Sequence, residues 1–480
     1  MLSDHRDAPA PDPRRWYALA LLCLTFLVVV LGSTIVFTAA PTMAGALGFA
    51  AGDVQWIFTA SALTSGGLLF FGGRLADLLG RRRVFMTGVG AFTLSSMLCG
   101  LAWSEPVLIG ARAVQGAAVA IMSPAALSLV TTIFPPGPER NKALGIWSML
   151  GGIGATAGLL VGGAVTEALG WRWVFFINLP VGVTVLALSP VLLRDSRARD
   201  RRRAFDAAGA ATITAALVLV VYAITQVPRA GWASAQTLGL LAAAAALTGL
   251  FALVETRATA PLLPLRVLGS RTLIAGNVIM LVAGLAVDGM LFILTLYAQL
   301  VLGYTAVQFG LALMVMTVAS IAGSYAAQGA VTRLGFRRVA AAGMTLIGAG
   351  CLLLAHVSAG GTFLADLLPG LFVFGLGMGA AFVAGSIASF AGIEERDAGV
   401  ASGLQSTSFT VGTALGVAAL STIATARTAH VAGSAARDVA LTAGYRSAFT
   451  AAVAVIAVGL ATAMTLSRAA ATARERALAR

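Results

Sequence analysis

Apolar residues occupy the chain in long runs, which are separated by short polar segments rich in arginine, glycine and proline. About 20 apolar residues are enough for a helix to cross the hydrocarbon core of a membrane. Fourteen runs of this length begin near Trp16, Val54, Val84, Pro106, Ala143, Val174, Ala207, Thr237, Thr272, Val307, Val339, Phe363, Val400 and Arg446. The pattern predicts an all-α polytopic membrane protein with 14 transmembrane helices.

The composition excludes a soluble globular enzyme. Of the 480 residues, 59% are hydrophobic and 11% are charged, whereas soluble domains carry about 25% charged residues. The three cysteines lie inside apolar runs without metal-ligand spacing, and the three histidines form no constellation with a carboxylate. There is also no GxxxxGK[ST] loop that could cradle phosphates. We therefore expect no catalytic residues, no metal and no other cofactor.

The net charge of +13 comes from arginine clusters between the runs, and not from one solvated face. This distribution argues against a nucleic-acid partner. With the N-terminus in the cytoplasm, 26 of the 32 basic residues lie on the cytoplasmic side, and Arg112 lies within a run. Cytoplasmic loops carry an excess of basic residues. The chain is thus predicted to be a multi-pass protein of the cell (inner) membrane with both termini cytoplasmic.

The longest charged stretch, from Arg194 to Asp206, follows the sixth run, and two runs separate it from the last six. Related turns, 79–83 and 334–338, follow the second run of each half. Repeated halves are typical of secondary transporters. The predicted domains are a tail (1–15), a six-helix bundle (16–193), a basic loop (194–206), two linker helices with a loop (207–271), a second six-helix bundle (272–467) and a tail (468–480).

A stripe of glycines marks the fifth run. Gly154, Gly158 and Gly162 recur at four-residue spacing and therefore lie on one helix face. Gly412 and Gly416 repeat this spacing in the thirteenth run. Small residues let membrane helices approach closely, so both stripes are predicted to be helix-packing surfaces.

The turn after the second run contains a denser motif, 73–82. Gly73 and Gly80 would let two helix ends approach, while Asp77 can pair with arginine or lie at a helix N-terminus. Together with Arg81, these residues could form a latch that holds one conformation and releases in the other. The alternative is an ordinary basic turn with incidental glycines.

This motif resembles the signature loop between helices 2 and 3 of the major facilitator superfamily. Other stretches are similar to its fourteen-span drug:proton antiporter branch: 108–116, 170–180, 205–209, 296–304 and 397–403. The resemblance implies a secondary transporter that exports lipophilic drugs, antibiotics or secondary metabolites in exchange for protons by alternating access. Its partners would be a lipophilic small molecule, protons and the lipid bilayer, and it would function as a monomer.

Two departures from the family pattern leave an alternative open. Gly32 stands where an aspartate is frequent in the family, and Leu159 stands where a proline usually follows the glycine at position 158. Because the helix bend that a proline favours does not follow from this sequence, antiport is not the sole possibility. A same-fold exporter or symporter for one specific endogenous metabolite also fits.

Arg112 lies roughly 9 Å along the fourth run, counted from Pro106 at about 1.5 Å per residue. A charge at such depth is costly unless it faces the bundle interior or water, so a functional role is the first interpretation. The family resemblance implies a part in proton coupling. The alternative is that the side chain snorkels to the membrane interface.

Asp288 is a lone carboxylate in the middle of the ninth run. Desolvation favours the protonated form of such a group, which could load and release protons. We expect that the protonatable group lies here, and not at Gly32 in the corresponding first run. The alternatives are a buried polar contact between helices or a contact with a cationic substrate.

Nearby residues could line an adaptable substrate cavity. Met290, Phe292 and Tyr297 offer the thioether and aromatic surface that suits bulky lipophilic ligands, and Asn277 adds a polar group. Ordinary packing or lipid contact explains each of the four equally well.

Overall fold

The computed structural model describes residues 14–50, 52–134, 138–193, 206–258, 269–391, 398–433 and 436–478. Within them the chain forms fifteen α-helices and one π-helical turn, Phe363–Leu367. The helices are α1 (Arg15–Leu47), α2 (Trp56–Leu79), α3 (Arg81–Gly100), α4 (Glu105–Ile133), α5 (Pro138–Leu169), α6 (Trp173–Phe176), α7 (Asn178–Leu192), α8 (Ala207–Ala230), α9 (Ala235–Arg257), α10 (Arg271–Leu300), α11 (Ala306–Leu334), α12 (Phe336–Leu354), α13 (Leu368–Phe390), α14 (Ala398–Val431) and α15 (Arg437–Leu478).

Local sequence signals set the helix ends. Gly48 ends α1 with a φ of +71°, and Gly335 separates α11 from α12 with a φ of +79°; glycine tolerates such values because it lacks a Cβ. Thr305 starts α11 with a capping box. Its hydroxyl accepts from the backbone N–H of Gln308, and the Gln308 side chain accepts from the backbone N–H of Thr305.

The run predicted to begin at Val174 is not one helix. It is divided at Ile177 into the single turn α6 and the helix α7. Pro180 lies in the first turn of α7, where its missing N–H would have no intrahelical partner in any case. The division places Asn178 at the buried start of α7.

Helix pairing repeats along the chain. α1 packs against α5 and α2 against α4; in the same way, α10 packs against α14 and α11 against α13. α3 packs against α4 and α7, as α12 packs against α13 and α15. The first seven helices and the last six therefore follow one packing scheme.

α8 lies against both α2 and α14, whereas α9 packs chiefly against α8. The Thr214 hydroxyl of α8 donates to the carbonyl of Gly67 in α2 at 2.8 Å, and the Thr422 hydroxyl of α14 donates to the carbonyl of Ile224 in α8 at 3.3 Å. A small apolar cluster joins the three helices: Leu63, Val221, Ala414 and Ala418. α8 thus bridges the two sets of helices along one side.

Ten helices are long and apolar enough to cross a membrane among the residues described above. α2, α5 and α8 contain shorter apolar stretches, Trp56–Leu69, Leu160–Leu169 and Ala211–Val227. In the most apolar stretch of α10, 83% of the residues are buried, compared with 11% in α9. α10 is therefore a central helix of the bundle, and α9 is a peripheral one.

Candidate functional site

Asp288 lies in the middle of α10 and is partly buried. The Thr413 hydroxyl of α14 donates a hydrogen bond of 2.6 Å to its Oδ2 atom. No cation lies within ion-pair distance of Asp288 in the described part of the chain. The carboxylate is thus held by a neutral donor on the neighbouring helix, and its Oδ1 atom has no hydrogen bond among the described residues.

Glycines bring α10 and α14 close enough for this bond. A Cβ added at Gly412 would collide with the carbonyl oxygen of Leu281, and one added at Gly284 would collide with that of Phe409. At Gly416 the added atom would lie 2.6 Å from the Cα of Leu285. Because the two backbones are in contact, a side chain as short as threonine reaches across the interface.

The predicted glycine stripe of α5 faces α1. A Cβ at Gly154 would lie 3.1 Å from a methyl carbon of Leu27, and one at Gly158 would lie 2.8 Å from the carbonyl oxygen of Leu31. At Gly162 it would lie 2.9 Å from the carbonyl oxygen of Ile35. Gly158 and Gly162 therefore need glycine to keep the present distance between α1 and α5, whereas Gly154 has a tight contact that a small shift of Leu27 could relieve.

Arg112 is 5% exposed and lies inside a network of neutral groups. Its Nε donates to the carbonyl of Ile57 in α2 at 2.7 Å, and its Nη1 donates to Oε1 of Gln115. Gln115 Nε2 donates to Oγ of Ser96 in α3 at 2.7 Å, and Asn178 Nδ2 of α7 donates to the same oxygen at 3.3 Å. One chain of hydrogen bonds therefore links four helices.

The environment of Arg112 does not match snorkelling, because its guanidinium is buried and hydrogen-bonded within the bundle. No described carboxylate forms an ion pair with it. At the other end of the network, Oδ1 of Asn178 is buried without a hydrogen bond. A Cβ at Gly32 would lie 3.9 Å from that oxygen, so Gly32 faces this network.

The predicted latch is only partly within the described residues, because the surroundings of Gly73 and of the Asp77 side chain lie outside them. Gly80 separates α2 from α3 with a φ of +98°. Arg81 donates to Oγ1 of Thr132 near the end of α4. The turn after α2 is thus tied to α4 at the same end of the bundle.

The four predicted cavity residues are buried in this conformation. Met290, Phe292 and Tyr297 have no exposed surface, and Asn277 is 8% exposed. The Tyr297 hydroxyl donates to the carbonyl of Ser358 at 2.7 Å. Asn277 accepts from the Ser408 hydroxyl of α14 at 3.0 Å. Their present contacts are packing and hydrogen bonds with other helices and loops.

The first seven helices (α1–α7) and the last six (α10–α15) meet at one end of the bundle. Phe58 of α2 stacks on Phe37 of α1 with ring centroids 4.4 Å apart, and Phe292 of α10 contacts Phe58 edge-on at 5.3 Å. Beside them, Nε2 of Gln299 in α10 donates to the carbonyl of Thr38 in α1 at 2.9 Å. These contacts close the seam between α1 and α10 at this end.

Sequence reasoning missed Thr413, Gln115, Ser96 and Asn178. Two signals were available. Thr413 directly follows a glycine of the α14 stripe, and Gln115 lies three residues after Arg112, on the same helix face. For Ser96 and Asn178 the sequence shows no pairing, because they come from helices far apart in the chain. Among the described residues, no group of three or more His, Cys, Asp or Glu side chains could hold a metal ion.

An all-helical bundle with ten helices able to cross a membrane and with charged residues inside it is a multi-pass membrane transporter fold. The Major Facilitator Superfamily model matches residues 22–417, and the chain belongs to this family. It is therefore a transporter and not an enzyme.

Relatives of known name are similar over most of the chain. The puromycin resistance protein pur8 of Streptomyces alboniger is 36% identical over 87% of this chain and 84% of its own. The cephamycin export protein CmcT of Amycolatopsis lactamdurans is 36% identical over 85% of this chain and 84% of its own.

A solved structure shares the fold. It is an inward-facing, unoccupied bacterial homolog of the human lysosomal transporter Spinster, with 17% identity and a TM-score of 0.67, over 95% of this chain and 98% of that one. At this identity the likeness extends to the fold alone.

Proposed function

We propose that this protein exports lipophilic drugs, antibiotics or secondary metabolites in exchange for protons. The names of the relatives support export of small-molecule antibiotics. The observation that carries proton coupling is Asp288, a partly buried carboxylate in the central helix α10 with a neutral partner in α14. A carboxylate in such surroundings gains and loses a proton more readily than one held in an ion pair.

Coupling would act through the α10–α14 interface. When Asp288 is charged, the Thr413 hydroxyl stabilises it; when it is protonated, that bond weakens and the carboxyl becomes able to donate elsewhere. Because the two backbones are in contact, a change at this bond would alter how α10 packs on α14. Arg112 would serve as a fixed positive charge that opposes a second cation in the pathway.

Alternating access is supported by the contacts at one end of the bundle. Residues 16–193 and 272–467 would form two six-helix bundles that rock about a central cavity, and 207–271 would supply the two linker helices of a fourteen-span, 6 + 2 + 6 layout. The Phe37–Phe58–Phe292 cluster and the Gln299–Thr38 bond would close one side. Opening of this end would expose Met290 and Phe292 to substrate.

The proposed setting is the cell (inner) membrane, with both termini cytoplasmic and the monomer as the functional unit. In this orientation the aromatic cluster lies towards the outer face. Gly80 and Arg81 lie at the cytoplasmic face, where with Gly73 and Asp77 they would latch one conformation.

Drug susceptibility in an efflux-deficient bacterial host tests the proposal. The host expresses wild type, Asp288→Asn or the control Asp438→Asn, and is exposed to cationic, neutral and anionic lipophilic compounds. Asp438 is an exposed carboxylate in the first turn of α15. Wild type and Asp438→Asn should protect the host, whereas Asp288→Asn, with equal membrane expression, should fall to the level of the empty vector.

The outcomes separate the parts of the proposal. Protection that survives in Asp288→Asn would remove Asp288 from coupling and leave the exporter intact. Absence of protection by wild type against every compound would contradict drug export and favour a carrier for one metabolite. Accumulation driven by an imposed pH gradient in inside-out vesicles distinguishes antiport from symport by its direction.

A further inference from the structure

A groove of about 640 Å³ lies between the end of α12 and residues 446–454 of α15, and neither α10 nor α4 contributes a residue to its described lining. Leu352 and His356 line it from the α12 side, and Arg446, Ala451 and Ala454 line it from the α15 side. His356 follows the last residues of α12. The groove therefore lies where a membrane helix meets the boundary of the bilayer.

The polar end of the groove is basic. Arg446 Nε donates to the carbonyl of Ala355 at 2.9 Å, which fixes the side chain while its two Nη groups form no hydrogen bond with the described residues. The Nδ1 atom of His356 lies 2.8 Å from the carbonyl of Leu352 and must therefore carry the donated hydrogen, so Nε2 is an acceptor in the neutral ring and a donor in the protonated one. No acidic side chain is among the described residues that line the groove.

The other end of the groove continues into apolar surface. Leu352 of α12 is 50% exposed, and Val458 of α15 is 68% exposed. In a multi-pass membrane protein, exposed aliphatic side chains of this kind contact lipid acyl chains. The groove thus offers a cationic end at the bilayer boundary and an apolar floor that runs into the hydrocarbon region.

We propose that this groove binds an anionic phospholipid. The phosphate would accept charge-assisted hydrogen bonds from the Arg446 guanidinium, and a protonated His356 would add a donor at Nε2. One acyl chain would lie along Leu352, Ala451 and Ala454. A soluble anion would gain nothing from the apolar floor, whereas an anionic lipid matches both ends of the groove.

Two substitutions remove the Arg446 charge and the His356 Nε2 atom and keep the local hydrogen bonds. In Arg446→Gln the amide Nε2 stands at the bond position of the arginine Nε and can still donate to Ala355. In His356→Asn the amide Nδ2 stands at the position of Nδ1 and can still donate to Leu352. Arg437→Gln is the matched control, because Arg437 is an exposed arginine on the same helix outside the groove.

The full-length protein is reconstituted in nanodiscs of phosphatidylcholine, with or without phosphatidylglycerol. Lipid occupancy is read by native mass spectrometry and stability by the midpoint of thermal unfolding. Phosphatidylglycerol should bind wild type and Arg437→Gln and raise their midpoints. The Arg446→Gln/His356→Asn variant should bind phosphatidylglycerol roughly tenfold or more weakly, because hydrogen bonds to charged groups are among the stronger ones. Phosphatidylglycerol should then no longer raise the unfolding midpoint of this variant.

Equal binding and stabilisation in wild type and in the double variant would overturn the site. So would the absence of any phosphatidylglycerol effect on wild type. If the double variant unfolds in pure phosphatidylcholine, the substitutions have damaged the structure itself. The Arg446→Lys variant, which keeps a positive charge, is then the test. Phosphatidylglycerol binding by this variant supports the site, and loss of that binding contradicts it. None of these readouts depends on transport.

Discussion

Arg112 and Asp288 are charged side chains within apolar helices, but their surroundings differ. Arg112 is held by a carbonyl and an amide oxygen within a network that spans α2, α3, α4 and α7. Asp288 has one hydroxyl donor and remains partly exposed. A side chain fixed from several helices keeps its place, whereas one with a single neutral partner can change its protonation state with little rearrangement.

Glycines that look alike in the sequence differ in whether their surroundings leave room for a side chain. A Cβ at Gly158 would lie 2.8 Å from the carbonyl of Leu31, whereas the nearest atom to a Cβ at Gly32 is 3.8 Å away. Gly158→Ala should therefore force α1 and α5 apart at a cost of about 1–3 kcal/mol, as overpacking does. Gly32→Ala should be neutral or slightly stabilising, because alanine favours the helix.

The unfolding midpoint and the yield of folded, membrane-inserted protein measure this difference. A Gly158→Ala variant as stable as Gly32→Ala would contradict the packing at the α1–α5 interface.

At the scale of the helices, α8 has contacts that a passive connector would lack. It lies between α2 and α14, and hydroxyl–carbonyl hydrogen bonds join it to both. α9, in contrast, packs chiefly against α8. Relative movement of α2 and α14 would therefore have to include α8, which would make it part of the moving structure.

The bond from Thr214 to Gly67 tests the position of α8. Thr214→Val keeps the shape of the side chain and removes its donor, which should destabilise the α2–α8 contact by about 0.6 kcal/mol. Thr212→Val is the control, because among the described residues the Thr212 hydroxyl bonds to carbonyls of its own helix alone. Thr214→Val should lower the thermal unfolding midpoint and change the transport rate more than Thr212→Val does. Equal effects of the two substitutions would contradict a particular role for the Thr214–Gly67 bond.

At the scale of the whole molecule, helices of both halves of the chain share an apolar core at one end. The aromatic cluster and the Gln299–Thr38 bond join α1 and α2 to α10, and Gly163 of α5 packs against Ala306 at the start of α11. A contact that exists only in the closed state stabilises that state, so its loss shifts the conformational equilibrium away from it.

Gln299→Leu removes the donor to Thr38 and should shift the population towards the state that is open at this end. The reporter is Ala306→Cys, labelled from outside the cell with a membrane-impermeant maleimide. Ala306 is buried, as are the native cysteines Cys23, Cys99 and Cys351. Labelling should be faster with Gln299→Leu than with Gln328→Leu, which changes an exposed glutamine. Equal rates would show that the Gln299 bond does not hold this end closed.

Several features of the site were accessible from the sequence because they depend on composition and local spacing. The apolar runs predicted the helices, and the four-residue spacing predicted the glycine faces at Gly154, Gly158 and Gly162. Arg112 and Asp288 were found because a charge within an apolar run is rare. The division at Ile177 was not foreseen, since Pro180 is compatible with both the interior of a predicted run and the first turn of a new helix.

By itself the sequence determined the class of the protein, because hydrophobic length and the placement of arginines act along the chain and require no partner. It also determined which residues are chemically unusual. Only the tertiary structure decided what those residues contact. Gly32 and Asp288 lie 17 residues into α1 and α10, yet one faces Asn178 of α7 and the other meets Thr413 of α14. Helix rotation and neighbour choice depend on the packing of segments far apart in the chain, and a linear pattern does not contain that information.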